Sequence, residues 1–160
     1  MGPTAALVVP EQWHATLGFM GSAPDRVVED LVERLAEVAA RTTAHRLAAS
    51  GGGCFPDVGR AKVLWAGLAG DVDELSALAR RVRAVCSTVG AAPAGGPFIP
   101  HLTLGRFPRA EDATRWVRVL ETYAGPSWDA SEVSLVSSHL PRERGHRPRH
   151  EVLARLPLGG

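Results

Sequence analysis

The sequence predicts an α+β fold: two pseudo-symmetric lobes, each an antiparallel sheet backed by helices, flanking a central cleft within one bilobal domain over residues 1–160. Three observations predict it. A cassette of the form His-x-Thr-Leu-Gly occurs twice, as His14-Ala15-Thr16-Leu17-Gly18 and as His101-Leu102-Thr103-Leu104-Gly105, and Phe19 and Phe107 close the two copies. Copies so far apart are not a solenoid repeat and suit two half-domains that each supply one. Short strand-like apolar runs alternate with long amphipathic ones, an order that would also suit a parallel doubly wound sheet. No glycine-rich phosphate turn leads from a strand into a helix, which disfavours a parallel doubly wound sheet.

In an extended strand, side chains at i and i+2 share a face, so His14 is expected beside Thr16 and His101 beside Thr103, with Leu17 and Leu104 turned into a core. If the two strands lie side by side about a pseudo-two-fold axis, two imidazoles and two hydroxyls converge on one cleft. Neither cassette contains an acid, so the cleft suits an anion. Two imidazoles across a phosphate can divide phosphodiester cleavage, one taking a proton from the attacking oxygen and the other giving one to the leaving oxygen. The threonine hydroxyls would hold the non-bridging oxygens. A single His-x-Thr is often only a strand residue satisfied by a carbonyl. Nothing in strand packing asks for the pair twice.

Taken in order, Ala5 to Val9 is a short edge or lead-in strand closed by Pro10. Ser22-Ala23-Pro24-Asp25 reads as a capping box with proline in the first turn, and Val27, Val28, Leu31, Leu35 and Val38 follow at helical spacing. His45 to Ala49 is a short strand, and Ser50-Gly51-Gly52-Gly53 a flexible turn, since it lacks the Gly-Lys-Ser/Thr of a phosphate loop. Lys62 to Leu68 is a strand whose Trp65 reads as a core or cleft-wall aromatic. Asp71-Val72-Asp73-Glu74 opens a second helix with Leu75, Leu78, Val82, Val85 and Val89 buried, Arg80, Arg81 and Arg83 solvated, and Gly90 at its end. Gly90 to Pro100 is a loop into the second cassette and the nearest thing to a lobe boundary. A third helix, Glu111 to Tyr123, buries Trp116, Val117 and Leu120. The chain closes with a hairpin, Ala130 to Leu140 and His150 to Leu156, whose connection gathers Arg142, Arg144, Arg147, Arg149, His139, His146 and His150 around the single acid Glu143. Such a run near a phosphate cleft would attract a polyanion and hold backbone phosphates without reading sequence; the alternative is a solvated charged loop.

Composition sets the bounds. At 160 residues and 45% hydrophobic the chain can bury a real core. The net charge of +1 is neutral on nucleic-acid binding. Lys62 is the only lysine among 18 basic residues; arginine is the better bidentate phosphate partner, although a codon bias toward arginine and alanine gives the same pattern. Cys54 and Cys86 form neither a disulfide framework nor a metal pattern, which points to a reducing cytoplasm and passive thiols. No run is long and apolar enough for a membrane span, and no signal follows Met1.

On these residues the chain resembles the 2H phosphoesterases, a family named for two His-x-Thr-x motifs, and within it the bacterial and archaeal RNA 2′,3′-cyclic phosphodiesterases, long called 2′-5′ RNA ligases. The likeness extends to Pro10-Glu11-Gln12-Trp13, to Cys54-Phe55-Pro56 with Val63-Leu64-Trp65-Ala66-Gly67, to Ser137-Ser138-x-Leu140-Pro141 and to Leu153-Ala154-Arg155-Leu156, nearly the whole chain. It implies metal-independent, cofactor-free hydrolysis of an RNA 2′,3′-cyclic phosphate to a 2′-phosphate end, with His14 as proton donor, His101 as proton acceptor, and Thr16 and Thr103 gripping the phosphate. With a 5′-hydroxyl in place of water, the same site would join RNA ends through a 2′-5′ bond. Candidate RNA contacts are Arg106, Arg142, Arg144, Arg147, Arg149 and His150; where family members generally carry tyrosine in the last hairpin, this chain has His150. The family's opening strand and helix are expected to be missing unless Ala5 to Val9 supplies the strand, so the chain is expected to begin late, with a weakened first lobe or a paired edge; a complete lobe favours a monomer. Two alternatives stay open: a cyclic phosphodiesterase acting on a small cyclic nucleotide or sugar phosphate, and a non-catalytic RNA-binding module.

Overall fold

The computed structural model describes residues 6–7, 13–93, 95–139 and 149–159. Along them run β1 (Ala6–Leu7), α1 (Val28–Ala40), β2 (His45–Phe55), β3 (Ala61–Gly70), α2 (Val72–Thr88), β4 (His101–Glu111), α3 (Thr114–Glu121), β5 (Ala124–Ala130), β6 (Glu132–His139) and β7 (Arg149–Pro157). Five strands form one sheet in the order β1-β4-β3-β2-β5, and β6 pairs with β7 in a second. The pairs β1/β4, β2/β3, β3/β4 and β6/β7 are antiparallel, so the α+β expectation holds. The chain groups into two compact units, Met1–Leu17 with Arg46–Ala77 and Gly95–Asp129, and Gly18–His45 with Leu78–Ala94 and Ala130–Gly160.

In the first unit one face of the sheet carries the core. Cys54, Ala61, Leu64, Phe107 and Ala113 are buried together, with Val58, Leu104, Trp116, Val117 and Leu120 packed against them. The third helix therefore turns toward the core the residues its spacing predicts, but leaves them half-buried, and it is shorter at both ends. Its start is fixed by Asp112, whose Oδ1 accepts from the Thr114 backbone N–H at 2.8 Å and from the Thr114 hydroxyl at 2.6 Å. Those bonds hold the Asp112 carboxyl below its ordinary range.

The run Ser50 to Gly53, expected as a turn, lies inside β2. The register slips between Ala49 and Gly52, and Gly51 has φ +64, which marks a bulge that glycine accommodates without strain. At Gly52 a Cβ would meet the Leu120 side chain and the Trp65 carbonyl oxygen. Glycine here is demanded by neighbours on other elements, which local sequence does not display. β5 also escapes prediction because it is mostly exposed and contains Gly125 and Pro126, so it shows no apolar alternation. A backbone bond from Gly51 to the Tyr123 carbonyl (3.1 Å) and one from the Arg46 guanidinium to the Ser127 hydroxyl (2.8 Å) hold its surroundings.

In the second unit α1 packs on β6 and β7 and buries Leu31, Leu35 and Ala39. The predicted capping box is not made: Pro24 is extended, no side chain caps the start, and Asp25–Val27 forms a 3-10 turn instead. Gly159 donates to Ala39 and accepts from Ala44; a Cβ there would overlap the Ala40 carbonyl oxygen. Along α2 the buried face is Leu75, Leu78, Ala79, Val82 and Cys86. It therefore turns toward Cys86 rather than toward the expected Val85 and Val89. Gly90, at φ +86, follows the helix as predicted. Both thiols are buried, and burial pushes each above its ordinary range, which supports the passive reading of Cys54 and Cys86. No helix among the described residues is long and apolar enough to cross a membrane.

Candidate active site

The second cassette opens β4, and its pairing with β3 decides which side chains share a face. Gly67 lies opposite His101, Ala66 opposite Leu102, and Trp65 opposite Thr103. The register then slips, so that Leu64 faces Gly105 and Val63 faces Arg106. Leu104 is the extra residue of a bulge. Before the bulge, Leu102 points to the core and His101 and Thr103 to the other face. After it the alternation is inverted. Phe107, an odd-numbered residue like His101, turns into the core, and Arg106 turns to the face of His101 and Thr103. Strict alternation from His101 would have sent Arg106 into the core face. The sequence does hold a trace of this, since the second copy has one more residue before its phenylalanine than the first.

His101 is fixed by its own backbone neighbourhood. Its Nδ1 lies 2.6 Å from the carbonyl oxygen of Ile99. A carbonyl only accepts, so Nδ1 carries the proton and donates it. In the neutral ring Nε2 then holds the lone pair. Two further rings converge on the imidazole: Phe55 stands edge-on at 5.0 Å between centroids, and Trp65 is tilted at 5.8 Å. Phe55 and Trp65 touch each other at 5.3 Å. Phe55 is on β2 and His101 on β4, so their contact means that both lean over β3, where Trp65 sits.

The first cassette departs from expectation. Residues 13–20 form no strand, and His14 and Thr16 are exposed. Among the described residues, β1, which pairs with β4, is Ala6 and Leu7. His14 and Thr16 therefore do not lie on a central strand of their own lobe; they belong to the same unit as His101 and Thr103. Of the other candidates, Arg106 is exposed on the His101 face. His150 is exposed on β7 in the second unit, pairs with Ser138 across the hairpin and shares a hydrogen bond of 3.0 Å with its hydroxyl. Arg149 opens β7. Arg142, Arg144 and Arg147 lie outside the described residues. What sequence reasoning missed is Phe55 as a neighbour of His101.

The family model of the 2′-5′ RNA ligase superfamily matches residues 6–142, a span that contains both cassettes. The chain belongs to the 2′-5′ RNA ligase superfamily. Among its relatives, an RNA 2′,3′-cyclic phosphodiesterase of Aeropyrum pernix is 31% identical over 81% of this chain and 72% of its own length. One of Aquifex aeolicus with the same description is 28% identical over 96% and 81%. A crystal structure of a Thermus thermophilus protein superposes with a TM-score of 0.77 at 28% identity, over 98% of this chain and 84% of that one. Superfamily membership thus rests on the family match across residues 6–142 and on relatives matched over most of the chain.

Proposed function

We propose that the chain hydrolyses RNA 2′,3′-cyclic phosphate ends to 2′-phosphate ends, with the two cassettes as its catalytic machinery. The observation that carries the reading is the His101 Nδ1–H bond to Ile99, because it leaves Nε2 as an acceptor on the same face as Thr103 and Arg106. The names of the relatives supply the substrate class.

In the proposed step a water oxygen attacks phosphorus while His101 Nε2 takes one of its protons. The P–O3′ bond breaks, and protonated His14 gives its proton to the departing 3′ oxygen. The product carries a 2′-phosphomonoester and a 3′-hydroxyl. His101 is left cationic and His14 neutral, and exchange with solvent restores both. Thr103 and Thr16 hydroxyls donate to the non-bridging oxygens, where charge grows in the transition state. Arg106 lies on the same face of β4 as His101 and Thr103, where it would hold a flanking backbone phosphate without reading a base. With a 5′-hydroxyl in place of water as the attacking group, the same proton transfers give a 2′-5′ linkage and a free 3′-hydroxyl.

The test is hydrolysis of a short RNA with a 2′,3′-cyclic phosphate end, with the product identified by phosphorus NMR, run beside cyclic mononucleotides. Release of a 2′-phosphate end, faster from the oligonucleotide, is the expected result. Turnover of the mononucleotide alone would move the substrate to the small-molecule class, and binding without turnover would make the chain an RNA-binding module.

A further inference from the structure

Trp65 is set in place by an absence. Its cross-strand partner on β2 is Gly53, and on β4 Thr103. A Cβ built on Gly53 would lie 2.6 Å from Trp65 Cζ2, 2.8 Å from Cη2 and 3.1 Å from Cε2, and these are its three nearest atoms. The indole therefore lies against bare backbone where any other residue would place a side chain. Gly53 does not have a left-handed φ, so its backbone conformation gives no reason for glycine. The indole is the reason.

The position is not set by hydrogen bonding. Trp65 Nε1 is buried and has no hydrogen-bond partner among the described residues. An orphaned buried donor is destabilising and asks for an explanation. Packing supplies one: the ring is pinned between Gly53 on one side and the β4 face on the other, where it meets His101 and, with Phe55, closes around the imidazole. With Nδ1 bonded to Ile99 and two rings against it, the imidazole loses the freedom to turn Nε2 away.

From these contacts we infer that Gly53, Trp65 and Phe55 are positioning residues for His101, with Gly53 acting through the indole. This inference rests on the reading of His101 as proton acceptor. The Phe55 and Trp65 rings also give the imidazole apolar surroundings on two sides, so packing constrains the direction in which Nε2 points. Adding a methyl at Gly53 moves the indole away from β2, toward β4, and so turns the imidazole. A misplacement of about 1 Å at a catalytic group lowers turnover by on the order of a hundredfold.

The experiment is a double-substitution cycle of Gly53→Ala and Trp65→Phe, read by kcat and KM for cyclic-phosphate RNA and by the ring resonances of His101 in nitrogen-edited NMR. Phenylalanine lacks the Cζ2 and Cη2 positions that the new methyl strikes. Gly53→Ala alone should lower kcat by about tenfold or more with KM nearly unchanged, and should shift the His101 Nδ1–H and Nε2 signals. In the Trp65→Phe background the same change should have almost no further effect on either readout. Equal effects of Gly53→Ala in both backgrounds, or unmoved His101 signals, would overturn the inference and leave Gly53 with a general strand role. Thermal unfolding of each variant confirms that kcat is compared between folded proteins. His101→Ala serves as the control: full turnover there would overturn the proton-acceptor role itself, while the ring signals of the other variants still decide whether Gly53 acts on His101 through Trp65.

Discussion

The two cassettes are nearly the same words and become different structures. His101-Leu102-Thr103-Leu104-Gly105 runs along β4, paired with β3, with a defined face. His14-Ala15-Thr16-Leu17-Gly18 is irregular and exposed at both of its polar residues. The closing phenylalanines differ most: Phe107 is 5% exposed and Phe19 61% exposed. Local sequence offers a strand in both places, and only a neighbouring strand turns the offer into a ladder. A duplicated motif therefore need not duplicate backbone.

The widest gap between the cassettes is expected in stability. Phe107→Ala removes a core ring and should lower unfolding free energy by about 3–5 kcal/mol, against less than about 0.5 kcal/mol for Phe19→Ala. Denaturant unfolding of the two variants measures this, and equal losses would mean that the first cassette is as deeply packed as the second. Thr103→Ala should lower kcat by roughly tenfold to a hundredfold, since it withdraws a donor from the growing negative charge. Thr16→Ala should do the same if both hydroxyls grip the phosphate, and an unchanged kcat there would restrict the grip to the β4 side. Arg106→Ala should weaken binding of cyclic-phosphate RNA and reduce the salt slope by about one, with kcat little altered. An unchanged salt slope would show that the bulge brings no phosphate contact to this face.

The smallest effect concerns α3. Asp112 accepts two bonds from Thr114, and its carboxyl sits below its ordinary range. A carboxyl lowered in the folded state contributes stability above its unfolded range and loses it as pH falls through the folded value. Asp112→Ala should therefore melt slightly earlier than the parent at neutral pH, and the difference should close on acidification. A difference that stayed constant with pH would assign the effect to something other than this carboxylate.

Much of the molecule was legible wherever burial follows a local period. The face of α3 with Trp116, Val117 and Leu120 and the inward turn of Leu104 follow from spacing alone. The failures have one physical source, a partner that is distant in sequence. Gly52 and Gly53 read as a turn because the Leu120 and Trp65 side chains that require them lie on other elements. The Arg106 face could not be read from alternation because a bulge at Leu104 inverts it. The first cassette read as a strand because its pattern is that of β4, while the neighbours that make β4 a strand are absent from the pattern. The candidate histidines and threonines themselves needed no structure, since duplication alone singled them out.

The central claim is a division of labour: His101, with Nδ1 committed to Ile99, takes the proton, and His14 gives one. Turnover of cyclic-phosphate RNA against pH, in the parent and in the His14→Ala and His101→Ala variants, tests it most directly. The parent should be bell-shaped, because one imidazole must be neutral while the other is protonated. Each variant should lose on the order of a hundredfold or more in kcat. In the residual activity, His101→Ala should lose the limb that falls at low pH and His14→Ala the limb that falls at high pH. The opposite assignment of the limbs, or undiminished turnover in His101→Ala, would contradict it.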